Sequence, residues 1–270
     1  MPLVYITNPQ DPRIADYRAV SEPDLARLRG VFIAEGRFVV QRLIEDGRCR
    51  VRSVLLNASS HRALEPILAA LAADTPVYLA AAADFPAMTG FDIHRGCLAL
   101  AERPAETPLP RLLLSARTLV VLEGVGNVDN VGGVFRNAAA FGVDAVLLSP
   151  TCADPLYRKA IRTSMAATFR IPFARLAGWP AVLGEIRRAG FSLIALTPRA
   201  RSVSIDAFAC EARPARLALL VGAEGPGLSE AAIAQADHCV RVPMASSVDS
   251  LNLAVATGIV LARLSHEGTL

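Results

Sequence analysis

Apolar residues in the first hundred positions alternate between two periods. Residues 31–34 (VFIA) form a short continuous apolar run. Over 37–45, apolar side chains recur at Phe38, Val39, Leu43 and Ile44, the spacing of one helix face. Residues 51–56 (VRSVLL) read as a strand, 61–73 as a helix, and 76–79 and 96–101 (GCLALA) as two more strands. The stretch 103–111 (RPAETPLPR) holds three prolines and interrupts the pattern, which marks it as a linker. Beyond it the alternation is more regular. Strands are predicted at 118–122, 144–148, 192–196, 216–221 and 239–242. Helices are predicted at 130–141, 156–168, 180–189, 229–236 and 250–264, with Gly142 and Gly190 placed to end two of them. Near-continuous apolar strands between helices predict a mostly parallel sheet covered on both faces. The expected fold class is therefore α/β, with domains at 1–104 and 112–270.

Composition adds limits. The chain has 270 residues, suited to two domains, and 53% of them are hydrophobic, ample for two cores. The net charge of +3 permits an acidic partner without requiring one. Lys159 is the only lysine among 28 basic residues, so the positive charge sits on guanidinium forks that grip phosphate in a bidentate way. The five cysteines, at 49, 97, 152, 210 and 239, form no C-x-x-C unit and match no zinc spacing. Free thiols in a reducing cytosol, a cytoplasmic location and no metal are expected. The N-terminus carries no basic and apolar leader pattern, and no apolar run reaches 18 residues, so no signal peptide or membrane span is expected.

Three segments carry candidate chemistry. The first, 123–133 (EGVGNVDNVGG), follows a strand and opens a helix. A dinucleotide fingerprint fails there, because the third glycine of G-x-G-x-x-G falls on Asp129. The segment offers instead Asn130 as a helix N-cap and Arg136 nearly two turns further on. The second, 221–229 (VGAEGPGLS), has three glycines that bare the backbone. Glu224 within it would repel a phosphate and favours a cationic or neutral ligand. The third, 242–252 (VPMASSVDSLN), brings Ser250 and Asn252 to the start of an apolar helix, with Asp249 or Ser250 expected to cap it.

In order and context, the three segments resemble the three motifs of the SpoU/TrmH family of the SPOUT superfamily, RNA 2′-O-ribose methyltransferases. Residues 31–45 resemble the small ribosomal-protein-like domain that often precedes the catalytic domain in that family, through Glu35-Gly36 and the following helix. The resemblance implies an RNA substrate-binding domain followed by a catalytic domain whose C-terminal segment forms a trefoil knot, an exception to the rule against threaded connections. It also implies a homodimer, S-adenosylmethionine as cofactor, and structured RNA as partner, ribosomal rather than transfer RNA.

The roles it implies fall on matching positions. Gly222 contacts the cofactor through backbone, Val242 and Leu251 hold its adenosine, and Thr197, Gly227 and Met244 complete that pocket. Asn130 and Arg136 face the target ribose, with Glu224, Ser250 and Asn252 completing the catalytic set. Arg162, in RTSMAATF (162–169), resembles a substrate-positioning segment, with Ala166 where glycine is frequent in the family. Arg48, Arg50, Arg52, Arg158 and Arg162 are the expected RNA contacts. The family's proposed base is the arginine at position 136. Free arginine holds its proton to a pKa above about 12, so orientation and charge stabilisation suit it better. None of the four histidines (61, 94, 238, 266) falls in a motif. Two further readings stand beside this one, a non-catalytic RNA-binding relative and an enzyme that methylates a base nitrogen.

Overall fold

Val, Leu and Ile in continuous runs satisfy the demands of strands buried on both faces. The computed structural model describes residues 2–18, 22–90, 96–199, 202–211, 214–245, 247–248 and 250–265. His94, Asp249 and His266 lie outside them. The chain divides into two units, Met1–Ala105 with Leu156–Phe169, and Glu106–Pro155 with Arg170–Leu270.

The first unit runs β1 (Leu3–Tyr5), α1 (Glu22–Arg29), β2 (Val31–Glu35), α2 (Arg37–Asp46), β3 (Val51–Leu56), α3 (Ala58–Leu68), β4 (Val77–Leu79), α4 (Phe85–Thr89) and β5 (Cys97–Glu102). Its sheet has the order β1-β4-β3-β5-β2, with β5 antiparallel to both neighbours and the other pairs parallel. Tyr17 is fully buried beneath the sheet. Its hydroxyl lies 2.8 Å from the Ser53 carbonyl oxygen and accepts from the Leu100 amide at 3.2 Å, so its polar tip is satisfied.

The sheet edge at β2 is buried because α1 and later residues of the chain cover it. Those later residues are α7 (Arg158–Thr163) and the start of α8 (Ala167–Arg170), counting α5 (Leu109–Ser115) and α6 (Val128–Ala140) before them. The single helix expected over 156–168 is thus two. Met165 and Ala166 have φ of 52° and 67°, and a right-handed helix cannot run through left-handed residues. Ala166 takes the conformation that a glycine would adopt without strain.

The second unit contains β6 (Thr118–Glu123), β7 (Ala145–Leu148), β8 (Phe173–Arg175), α9 (Leu183–Arg188), β9 (Ser192–Leu196), β10 (Val203–Ser204), α10 (Ile205–Glu211), β11 (Leu217–Gly222), α11 (Glu230–Ile233), β12 (His238–Arg241) and α12 (Leu253–Leu264), besides α5 and α6. Its sheet order is β10-β12-β9-β11-β6-β7-β8, and every pair is parallel. The parallel sheet follows the sequence expectation. The expected linker does not keep its full length, since α5 begins at Leu109 with Pro110 in its first turn, where a missing N–H costs nothing. Gly142 and Gly190, with φ of 66° and 89°, follow α6 and α9 as predicted.

All five cysteines are free thiols. Burial pushes the Cys97 thiol up to about 12 and that of Cys49 up to about 11, which leaves both protonated and unreactive. No helix among the described residues is long and apolar enough to cross a membrane.

Candidate functional site

Open parallel sheets hold ligands outside the carboxyl ends of their strands, where the strand order reverses. Here β6 and β11 are neighbours, with β7 and β8 on one side and β9, β12 and β10 on the other. A cavity of about 580 Å³ lies at the carboxyl ends of β9, β11 and β12. That volume falls in the range of small-molecule sites.

The second motif forms one wall. Gly222 ends β11, and the turn after it folds back so that the Gly227 amide donates to the Ala223 carbonyl at 3.0 Å. A Cβ at Gly222 would lie 2.1 Å from the Gly227 carbonyl carbon and 2.2 Å from the Leu228 nitrogen. Glycine is required there by the turn's own backbone. Glu123, at the end of β6, fixes the far end of the turn. Its carboxylate accepts from the Ser229 amide at 2.9 Å and from the Trp179 indole at 2.6 Å.

The first and third motifs meet through two helices, α6 and α12, that approach closely on small residues. A Cβ on Gly133 would stand 2.6 Å from the Ala254 Cβ, and the Asn137 amide donates to the Ala254 carbonyl at 2.6 Å. Asn127, rather than the expected Asn130, caps α6 by accepting from the Asp129 and Asn130 amides. The helix starts two residues earlier than predicted, which buries Asn130 in its first turn and frees its side chain for another role.

That role is set by Asn252. Its Oδ1 caps α12, accepting from the Ala254 and Val255 amides at 3.0 and 3.2 Å. The cap assigns which end of the amide is oxygen, so Nδ2 must face the other way. Nδ2 donates to Asn130 Oδ1 at 2.8 Å and to Glu224 Oε1 at 3.1 Å. Asn252 therefore takes the capping position expected of Asp249 or Ser250. Asn130 is 3% exposed, and its own Nδ2 has no hydrogen-bond partner among the described residues.

The cavity brings together Thr197, Gly222, Gly227, Val242, Met244 and Leu251, all expected around a cofactor, with Glu224, Ser250 and Asn252. Asn130 joins them through Asn252. Arg136 is not part of the lining. It is exposed on α6, and no hydrogen bond or ion pair holds its guanidinium among the described residues. Sequence reasoning missed Arg199 and Arg241, which also line the cavity. Each follows or ends a predicted strand at its carboxyl end, and that position was the available signal. Arg199 pairs with Glu230, and Arg241 Nη1 lies 3.5 Å from Ser202 Oγ.

The expected RNA-contact arginines lie in the first unit, each beside a carboxylate. Arg48 pairs with Asp46 at 3.3 Å, Arg52 with Glu102 at 3.1 Å, and Arg50 with Glu102 and Asp74 at 3.7 and 3.8 Å. Arg158 pairs with Glu22 at 3.3 Å and Arg162 with Glu35 at 3.5 Å.

Residues 117–262 match the model of the SpoU rRNA Methylase family. The chain is 39% identical over 267 residues to a protein of Mycobacterium bovis named an uncharacterized tRNA/rRNA methyltransferase, covering 97% of this chain and 92% of that one. Among solved structures, an AdoMet-bound rRNA methyltransferase from Sinorhizobium meliloti superimposes with a TM-score of 0.80 at 26% identity, over 97% of each chain. An RNA 2′-O ribose methyltransferase superimposes with a TM-score of 0.75, also at 26% identity and over 97% of each chain. With the family model covering more than half of its length and a relative matching nearly all of it, the chain belongs to the SpoU rRNA methylase family.

Proposed function

We propose that the chain methylates a ribose 2′-hydroxyl of RNA, and of ribosomal RNA in preference to transfer RNA. The observation that carries this reading is the hydrogen-bonded chain Asn130–Asn252–Glu224, which ties the three motif segments into one site.

S-adenosylmethionine is the cofactor, and the residues present fit it. Val242, Met244 and Leu251 offer apolar surface to an adenine, and the turn from Gly222 to Gly227 offers bare backbone. Glu224 has no cationic partner among the described residues, so its charge is available to a sulfonium and hostile to a phosphate. The cofactor supplies an electrophilic methyl group. Asn252 holds Asn130 and Glu224 in fixed orientation. Arg136, free of other partners, orients the ribose and its phosphate and stabilises negative charge as it develops on the oxygen.

Residues 1–104 act in this reading as the RNA-binding domain and 112–270 as the catalytic one, in a cytoplasmic homodimer whose C-terminal segment is knotted. Val255 on α12, 51% exposed, supports a second copy packing on that helix. The accessory unit supports ribosomal RNA. Labelled methyl transfer to purified ribosomal and transfer RNA tests the preference. Incorporation into ribosomal RNA is expected, and label confined to transfer RNA overturns it.

Arg48, Arg50 and Arg52 serve this reading as phosphate contacts. The three guanidinium groups are exposed, and the pairs of Arg50 and Arg52 with the part-exposed Glu102 are of the surface kind, worth about 0–1 kcal/mol, little enough for phosphates to displace; Asp46, beside Arg48, is largely buried. Replacing all three with alanine is expected to weaken RNA binding and to reduce the slope of log K against log salt by about 2. An unchanged slope would remove this patch from the RNA interface.

A further inference from the structure

Removal of the hydroxyl proton is the step for which the motifs offer no convincing group. Among the described residues lining the cavity, the side chains that titrate are Arg199, Glu224 and Arg241. The two guanidinium groups are donors with no acceptor atom. Arg199 is engaged by Glu230 and by the Leu228 carbonyl, and Arg241 lies against Ser202. No histidine, lysine or cysteine is among these lining residues. Glu224 is the single side chain there built to accept a proton.

Its setting suits that task. The carboxylate is displayed from a turn closed by the Ala223–Gly227 pairing and backed by Gly222. One oxygen, Oε1, is held by Asn252 Nδ2 at 3.1 Å. The other, Oε2, has no hydrogen bond or ion pair among the described residues. Asn252 cannot turn its amide over to release Oε1 without giving up the cap of α12. One oxygen is thus anchored while its twin is left open, the arrangement that a positioned general base requires.

We propose that Glu224 is the proton acceptor of methyl transfer, with Asn252 as its positioning residue. This rests on the reading of the site as a ribose 2′-O-methyltransferase. In the step, Oε2 of Glu224 takes the proton from the ribose 2′-oxygen. That oxygen forms its bond to the methyl carbon as the carbon–sulfur bond breaks, and the electron pair of that bond stays on sulfur. The products are the 2′-O-methyl ribose, a neutral thioether (S-adenosylhomocysteine) and a protonated Glu224. The carboxyl then releases its proton to water. The carboxylate and the sulfonium lose their charges together, so their attraction does not hold the products in place.

The decisive variant is Glu224→Gln. It keeps an oxygen for Asn252 and removes the ability to take a proton. Glu224 is exposed on a turn, so the fold should be unaffected, and a melting curve checks this. The expected result is a fall of about 100-fold or more in the single-turnover rate at saturating cofactor and RNA. Calorimetric affinity for S-adenosylhomocysteine, which carries no sulfonium charge, should stay within about threefold of wild type. Glu224→Asp, with its carboxylate one methylene shorter, should recover part of the rate. A fall of less than tenfold, or a loss that disappears at saturating cofactor, overturns the proposal and leaves Glu224 as a binding group. If the wild-type chain makes no 2′-O-methylated product at all, it is the reading of the reaction that fails.

Discussion

Replacing Gly222 with alanine is expected to abolish S-adenosylmethionine binding and to destabilise the second unit by about 3 kcal/mol. The added methyl would sit 2.1 Å from the carbonyl carbon of Gly227, well inside any contact distance. The atoms it meets are backbone, so no side-chain rotation relieves the clash. Either the end of β11 shifts away from β6 and β9, or the turn opens and the Gly227–Ala223 hydrogen bond breaks. Both movements displace the wall that carries Glu224 and Gly227. Calorimetry with S-adenosylmethionine should show affinity reduced by at least about 100-fold, the equivalent of roughly 3 kcal/mol. Binding within threefold of wild type would mean that the turn is not part of the cofactor site.

The second large effect is far from the chemistry. Arg216, just before β11, bonds three main-chain carbonyls. Its Nε donates to Ala116 at 3.1 Å, Nη1 to Ala189 at 2.6 Å and Nη2 to Leu113, and its guanidinium lies 4.1 Å from the Phe191 ring centroid. These carbonyls belong to the C-terminal ends of α5 and α9, where helical carbonyls lack partners within the helix. Arg216→Ala removes every one of these bonds and the ring contact. Leaving a buried acceptor unpaired costs about 1–3 kcal/mol, although water will repair part of the loss. The expected net cost is about 3 kcal/mol, or a melting temperature lower by about 10 °C. Arg216→Lys should recover only a fraction, because one ammonium cannot reach three diverging carbonyls. Equal stability of the lysine variant and wild type would show that charge alone matters at this position.

The parts of the fold legible in the sequence were those with a continuous physical signature. The runs VRSVLL and SLIAL became β3 and β9 at the predicted residues, because the apolar stretches Val54–Leu56 and Leu193–Leu196 supply the side chains that strands in a covered sheet bury. The hidden elements lacked such a signature. Strands β8 and β10 span three and two residues, too few to show a period. Helix α5 stood behind prolines that read as a linker, although a proline in the first turn is compatible with a helix. The break at Met165–Ala166 was beyond reach, since alanine normally signals helix and only its observed φ of 67° betrays the turn.

The site was legible as three segments but not as a network. Asn130 was expected to cap α6, and Asn127 caps it instead. The choice comes from Asn252, 122 positions away from Asn130 in the chain, whose amide needs an acceptor beside it. The carboxylates beside Arg50 and Arg52 are equally non-local, since Glu102 reaches them only through strand pairing of β5 with β3. Motif order pointed to the segments that line the cavity. The orientation of Glu224 required coordinates.

The central claim is the identity of the methylated atom. RNA should be incubated with the purified chain and methyl-labelled S-adenosylmethionine, digested to nucleosides, and resolved by mass spectrometry. A mass increase carried on the ribose fragment, with an unmodified base, is the predicted result. Label on a base nitrogen, or no incorporation into any RNA, would contradict it.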